Sequence, residues 1–402
     1  MMDAKMAAAL PEAKLKEVWM GLVSQLGAFR EVSKTRYAEE AGFRAIYATC
    51  AFQTVQVDTK VVFDAGGKVM GLWFGPAQQA QQPEQTAGAH NPPSYADQSS
   101  FIETECSLGE GRWKLPATLT MPKGDGPFPS VVLVHGSGPN DRDETLGPNK
   151  PFKDLAWGLA SKGIAVLRYE KRTRQYPSEC SALPDFTVDQ ETVDDAVAAV
   201  KLLRETRKVD PGKVFVLGHS MGAMLAPRIA ARCAAELGRA PGGVVLMAGN
   251  ATNMLDLMVE QVQYIASLDG KVDDAEAKQV QELKDQVARI KEGKLRPGEV
   301  VLGAPQAYWT DLLKYDPVEA ARTLDVPLLV LQGERDYQVT MKDFTMWKEA
   351  LGGRPGATVR SYPDLNHLYM AGQGRSTPDE YGRPGNVSAA VVEDIASWVR
   401  EF

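Results

Sequence analysis

From residue 99 onward, short apolar runs alternate with stretches in which apolar residues recur every three or four positions. Strand candidates lie at 130–134, 164–169, 214–217, 243–247, 328–331 and 358–362, most of them nearly continuous in Val, Leu and Ile. Such runs suit strands covered on both faces. The stretches at 152–162, 188–206, 221–237, 341–351 and 387–402 carry helical periodicity. Strands alternating with helices predict an α/β fold with a mostly parallel sheet flanked by helices. Ahead of them, residues 101–108 and 113–121 read as an antiparallel pair around Gly109-Glu110-Gly111.

Two regions break this rhythm. Residues 1–75 read as a small α+β domain. Leu15, Val18, Trp19, Leu22, Val23 and Leu26 sit at helix spacing. Strand patterns follow at 45–52, 55–63 and 68–74, with a turn at Asp64-Ala65-Gly66-Gly67 that predicts a hairpin. Residues 76–98, rich in Gln, Ala, Pro and Ser, read as a linker, which leaves 99–402 as the larger domain. Inside that domain, residues 250–312 interrupt the alternation with two amphipathic helices, marked by Met254, Met258, Val262 and Ile265 and by Val280, Leu283, Val287 and Ile290. Asp273 with Glu276 three residues later is a capping-box start. This insertion is expected to form a helical cap over the sheet, since ligands in such folds bind beyond the strand ends.

The 402 residues are 44% hydrophobic and 24% charged, enough apolar material for a sizeable core. A net charge of -7 gives no global basic field for nucleic acid. Cys50, Cys106, Cys180 and Cys233 lie far apart without a CxxC pair, the pattern of free thiols, with a Cys106–Cys180 bridge as the alternative. No apolar run approaches the roughly 20 residues that span a bilayer, and the first residues are not a signal peptide. Neither a metal-ligand cluster nor a dinucleotide fingerprint is present, so no metal and no cofactor is expected.

The chemistry concentrates at Gly218-His219-Ser220-Met221-Gly222, after the apolar run 214–217 and before a helical stretch. That is the context of a nucleophile elbow, a turn so tight that the flanking residues must be tiny and the serine hydroxyl stands exposed. Pro227 predicts a kink in the helix that follows. A serine nucleophile needs a base beyond the last strand, and His367 is the histidine in that position. His219 lies within the elbow itself, on the wrong side of the serine. The acid should lie between them in the chain. Asp336 follows the strand at 328–331, with Glu334 as runner-up and Asp364 read as a turn residue. The oxyanion hole should combine the Met221 N–H with the Ser137 N–H of the turn His135-Gly136-Ser137-Gly138-Pro139. The charged run Asn140-Asp141-Arg142-Asp143-Glu144 shapes substrate entry or forms an internal salt-bridged loop. Arg168, Lys171 and Arg172 read mainly as structural pairing. Met254, Leu257, Met258 and Tyr264 on the cap, with Trp309, are candidates for binding substrate, although such stripes also arise as plain core.

These motifs, together with Gln332-Gly333-Glu334-Arg335-Asp336-Tyr337-Gln338-Val339 and Leu365-Asn366-His367, resemble bacterial α/β-hydrolase-fold esterases. The likeness is to the EstD-like carboxylesterase group, which carries an extra N-terminal α+β domain. It covers nearly the whole chain, including Tyr308-Trp309 near the end of the cap. It implies an α/β-hydrolase fold, a Ser220–His367–Asp336 triad and hydrolysis of short-acyl carboxylic esters. It also implies a further helix upstream of the small domain, often after an export signal. Measured against that pattern this chain starts late. The expected location is periplasmic or secreted if such a signal was trimmed, and cytoplasmic otherwise. A peptidase, amidase or thioesterase could use the same triad, and a non-catalytic binding protein could retain the fold. The expected partner is a small ester substrate, with no nucleic acid and no membrane span; homo-oligomerisation stays open.

Overall fold

The computed structural model describes residues 90–402 except Pro184 and, before them, Met2, Met6, Pro11, Leu15, Trp19 and residues 29–40, 43–52, 56–64 and 66–76. It divides into two compact units, Met1–Ala89 and His90–Phe402.

The first unit contains an antiparallel meander of β1 (Phe29–Glu40), β2 (Phe43–Phe52), β3 (Gln56–Phe63) and β4 (Val69–Pro76), paired in that order. The predicted β3–β4 hairpin closes through Asp64, whose N–H donates to the Lys68 carbonyl (2.9 Å). Its carboxylate takes the Lys68 N–H (2.8 Å). Strand β1 is not apparent in the sequence pattern. Among its described side chains, the large apolar residues Phe29, Val32 and Tyr37 are exposed. Of the helix expected at 15–26, Leu15 and Trp19 are helical; the rest lies outside the described residues.

The second unit is built on an eight-stranded sheet of β5 (Phe101–Leu108), β6 (Leu115–Pro122), β7 (Phe128–Val134), β8 (Ala165–Tyr169), β9 (Val209–His219), β10 (Val244–Met247), β13 (Leu328–Gly333) and β14 (Ala357–Tyr362). The spatial order is β14-β13-β10-β9-β7-β8-β6-β5. All neighbours from β14 to β8 pair in parallel; β6 and β5 form an antiparallel edge. A two-stranded ribbon, β11 (Val300–Val301) with β12 (Ala304–Pro305), lies within the cap. Side chains alternate across the sheet. Val132, Val134, Val214, Val216 and Val330 join one core with helices Asp194–Glu205 and Met221–Leu237. Val131, Leu133, Phe215, Leu217 and Leu331 join another with helices Pro151–Ala160 and Ala389–Glu401. Each such side chain withdrawn from water contributes about 1.5–3 kcal/mol, so the central strands form a stiff base for whatever their C-terminal ends carry.

Three expectations are refined. Residues 90–98, read as linker from their composition, belong to the second unit. The Tyr95 hydroxyl donates to the Val387 carbonyl (2.7 Å), and His90 Nε2 lies 2.8 Å from Asp154 Oδ1. The stretch at 188–206 opens with a π-helical turn, Asp189–Val193, before its α-helix. Helix Met221–Leu237 runs through Pro227. Proline removes the N–H that would meet the Ala223 carbonyl. The Tyr315 hydroxyl donates to the next carbonyl along, that of Met224 (3.1 Å). All four cysteines are free thiols, so Cys106 and Cys180 are not bridged.

The insertion at 250–312 forms helices Met254–Ala266 and Asp274–Lys291, and Asp273 and Glu276 complete the capping box. The inner helix rests on the loop after β13. Gln261 Nε2 donates to the Gln338 carbonyl (2.9 Å), and Tyr264 stacks on Tyr337 with ring centroids 5.1 Å apart. No helix among the described residues is long and apolar enough to cross a membrane.

Candidate active site

Ser220 stands between β9 and the helix that begins at Met221, at φ 55°, ψ −121°. A non-glycine residue in this region costs about 1–3 kcal/mol. The surroundings hold it there. Its N–H donates to the Met247 carbonyl (2.9 Å), and its carbonyl takes the N–H groups of Ala223 and Met224 (both 3.0 Å). Glycine is required on both sides. A Cβ on Gly218 would lie 2.2 Å from the Gly222 carbonyl oxygen, and one on Gly222 would lie 2.3 Å from that of Val134. Ser220 itself is only partly buried.

Asp336 and His367 come from the loops after β13 and β14. Asp336 Oδ2 lies 2.6 Å from His367 Nδ1 and takes Gln332 Nε2 at 3.2 Å. Its Oδ1 takes the N–H groups of Gln338 (2.8 Å) and Val339 (3.0 Å). The two loops are tied together by the Arg335 N–H on the Leu365 carbonyl (3.0 Å). Gly333 allows the approach, since a Cβ there would lie 2.4 Å from that same oxygen. Asn366 braces the second loop, accepting from Leu368 and Met370 and donating to Glu380. Neither alternative acid reaches the imidazole: Glu334 takes the Ser361 hydroxyl, and the Asp364 carbonyl takes the Gly372 N–H. The His367 ring lies 4.6 Å from that of His219, the residue before Ser220. Nδ1 carries its hydrogen bond to Asp336, and Nε2 makes none among the described residues.

The turn after β7 lies against the elbow: a Cβ on Gly136 would sit 3.1 Å from that of Ser220. The peptide joining Gly136 to Ser137 is held by its carbonyl, which takes Lys171 Nζ (2.8 Å) and Asn140 Nδ2 (3.2 Å). The carbonyl and the Ser137 N–H point to opposite sides of one planar unit. Holding the first therefore aims the second. Met221 contributes an N–H from the first turn of its helix, where intrahelical partners are lacking. His135 is buried between Phe152 and Tyr169 with ring centroids 5.1 and 5.2 Å away. Burial pulls its pKa down to about 4, so it is neutral.

The charged run after this turn is an internal, salt-bridged loop. Arg142 pairs with Glu105 and Glu170, Asp143 with Arg168 and Lys150, and Glu144 with His219. Lys171 pairs with Glu191 (2.9 Å) and Arg172 with Asp195 (2.5 Å). Sequence reasoning left His219, Glu144 and Glu191 without a role. The available signal was a histidine inside the elbow and a carboxylate in the loop beside it. The Glu191 carboxylate also takes the hydroxyl of the cap residue Tyr308 (2.6 Å).

The cap residues singled out for substrate are engaged mainly in packing. Trp309 is buried, its indole N–H on the Val301 carbonyl (2.9 Å). The Tyr264 hydroxyl donates to the Ser376 carbonyl (2.8 Å). Leu257 is buried in the core, and Met258 is half-buried against it. Met254 lines a cavity of about 550 Å³ with Met224, Asn253, Leu312, Tyr315 and Arg322; Ser220, Asp336 and His367 are not among its lining residues.

A strand–serine–helix elbow at the centre of a mostly parallel sheet, with a paired histidine and aspartate beyond neighbouring strands, defines a hydrolase class of α/β protein. The family model described as "Alpha/beta hydrolase family" matches residues 131–382, and the chain belongs to this family. A second model, "Protein of unknown function (DUF3887)", matches residues 1–72. The chain is 41% identical to Esterase EstD of Thermotoga maritima over 399 residues, covering 99% of this chain and 90% of that protein. Solved structures of similar fold include a hyperthermophilic esterase from Pyrobaculum calidifontis (19% identity, 75% of this chain and 85% of that one, TM-score 0.47). Another is the proline iminopeptidase of Mycobacterium smegmatis (18% identity, 74% of this chain and 98% of that one, TM-score 0.47).

Proposed function

We propose that this protein is a serine carboxylesterase that hydrolyses short-acyl esters through an acyl-enzyme intermediate. The observation that carries the proposal is the Asp336–His367 contact of 2.6 Å beside a serine held at positive φ. Its likeness to Esterase EstD supports esters as the substrate class.

In the first step His367 Nε2 takes the Ser220 proton as Oγ attacks the ester carbonyl. Asp336 keeps the Nδ1 proton in place and stabilises the imidazolium. The tetrahedral oxyanion is received by the N–H groups of Met221 and Ser137, each donor worth about 10²–10³ in turnover. The intermediate expels the alcohol, which takes its proton from His367. Water then attacks the acyl-serine by the same route and releases the acid.

A fluorophosphonate probe with hydrolysis of p-nitrophenyl acetate tests this reading. Labelling should map to Ser220, and Ser220→Ala should lose labelling and about 10⁴–10⁶ in turnover while keeping its fold. Full turnover in that variant would falsify the proposal. Matched ester, amide and thioester substrates assayed side by side should show the ester turned over fastest; faster amide or thioester turnover would replace the substrate class and keep the triad.

A further inference from the structure

His219 stands between two acceptors. Its Nε2 lies 3.0 Å from the backbone carbonyl of His367, an atom that can only accept. Its Nδ1 lies 2.8 Å from Glu144 Oε2, and both side chains are buried. A neutral imidazole has one N–H and can satisfy only one of these oxygens as a donor. The second proton belongs on the ring rather than on Glu144, because a carboxyl is the stronger acid. The other carboxylate oxygen of Glu144 already takes the Gly136 N–H (2.6 Å), which favours the anion.

We propose that His219 is a positioning residue, held as an imidazolium, that ties the Glu144-braced turn at Gly136 to the backbone of His367. The inference rests on the acyl-transfer reading above. That reading places one oxyanion donor on Ser137 and the base on His367. These groups come from loops after β7 and β14, at separate places in the sheet. His219 is the last residue of β9, which lies between them in strand order. It holds the first through Glu144, which takes the N–H of the preceding residue Gly136, and the second by the His367 carbonyl.

The ionisable groups facing His219 are Glu144, His367 and Asp336. Burial alone would push His219 towards its neutral form. The Glu144 carboxylate and the His367 carbonyl outweigh it and raise the pKa above the usual histidine value. Burial likewise pushes Glu144 up, and the His219 charge and the Gly136 N–H bring it below the ordinary range. His135, on the other side of Glu144, stays neutral and offers no competing charge.

The test is ¹⁵N NMR of the full chain labelled at histidine, with the His219 signals assigned by their loss in His219→Gln. Both ring nitrogens of His219 should be protonated at pH 7. In Glu144→Gln the amide oxygen can still take the Gly136 N–H, but the charge is gone. His219 should then lose one proton, and kcat at pH 7 should fall about ten- to a hundredfold, the range seen when the partner behind a metal-ligating histidine is removed. KM should stay within about twofold, since ground-state binding is untouched. A singly protonated His219 in the unmodified chain at pH 7 would overturn the proposal, and so would an unchanged kcat in Glu144→Gln. The NMR result on the unmodified chain decides the protonation state if either variant fails to fold. Absent fluorophosphonate labelling of Ser220 with a doubly protonated His219 would sink the esterase reading and leave the charge state of this histidine standing.

Discussion

Asp336 Oδ2 lies 2.6 Å from His367 Nδ1 although the two residues stand on loops after different strands, 31 positions apart. The carboxylate is fully buried and takes three further hydrogen bonds, two from backbone N–H groups and one from Gln332. Its orientation is thus fixed independently of the histidine. Asp336→Asn preserves shape but offers an amide that can hold the imidazole in the wrong tautomer. We expect kcat to fall about 10⁴-fold, as in other triad enzymes, with little change in KM. Steady-state kinetics on p-nitrophenyl acetate decide this; a loss under about tenfold would remove Asp336 from the mechanism.

Gly222 packs against the backbone of the neighbouring strand. A methyl group there would lie 2.3 Å from the Val134 carbonyl oxygen and 2.5 Å from that of His135. These are backbone atoms, unable to swing aside as a long side chain can. Gly222→Ala should destabilise the chain by about 3 kcal/mol or more, at the upper end for overpacking. A urea midpoint equal to that of the unmodified protein would contradict this account.

The Tyr315 hydroxyl donates to the Met224 carbonyl (3.1 Å), next along the chain from the Ala223 carbonyl that Pro227 leaves without a donor. Tyr315→Phe removes this hydrogen bond, at a cost of about 0.5–1.5 kcal/mol. In a Pro227→Ala background the Ala223 carbonyl regains its donor and the proline ring no longer crowds this turn, so the same substitution should cost less. A double-mutant cycle in denaturant measures the difference; equal costs in both backgrounds would show that the hydroxyl does not serve the helix.

His135 is held neutral by burial, its pKa lowered from 6.5 to about 4. The unfolded chain takes up this proton more readily than the folded one. Stability from this group is therefore complete above about pH 6.5 and is lost as the pH falls towards 4. The loss at pH 4 should be about 3 kcal/mol. His135→Phe should show a shallower decline in stability over this window. Equal slopes in denaturant melts between pH 7 and pH 4 would refute the assignment.

The parts of the site that sequence reasoning reached are those set by local geometry or chain order. Gly218 and Gly222 flank Ser220 because the turn admits nothing larger, and a run of apolar residues before it announces a strand. Asp336 follows a strand whose Leu and Val run is plain, and His367 lies beyond the last strand, where chain order puts the base. Pairing was legible for Lys171 and for the charged loop that holds Glu144, but the buried partners Glu191 and His219 were not. These partners are 20 and 75 residues away, and no periodicity encodes that distance. Composition misled at 90–98. Prolines and small polar residues there resemble a linker, yet His90 and Tyr95 supply specific contacts. Strand β1 escaped for another reason: its sequence, Phe29–Glu40, is mostly charged and polar and carries no apolar alternation.

The two cap helices differ in how closely they are bound to the rest of the molecule. The inner one shares Gln261 and Tyr264 with the segment that carries Asp336, whereas Asp274–Lys291 buries only Val287 and Ile290. Substitutions therefore have unequal latitude across the insertion. The outer helix can drift in composition with little penalty. A change at Gln261 or Tyr264 is felt directly at the acid's turn.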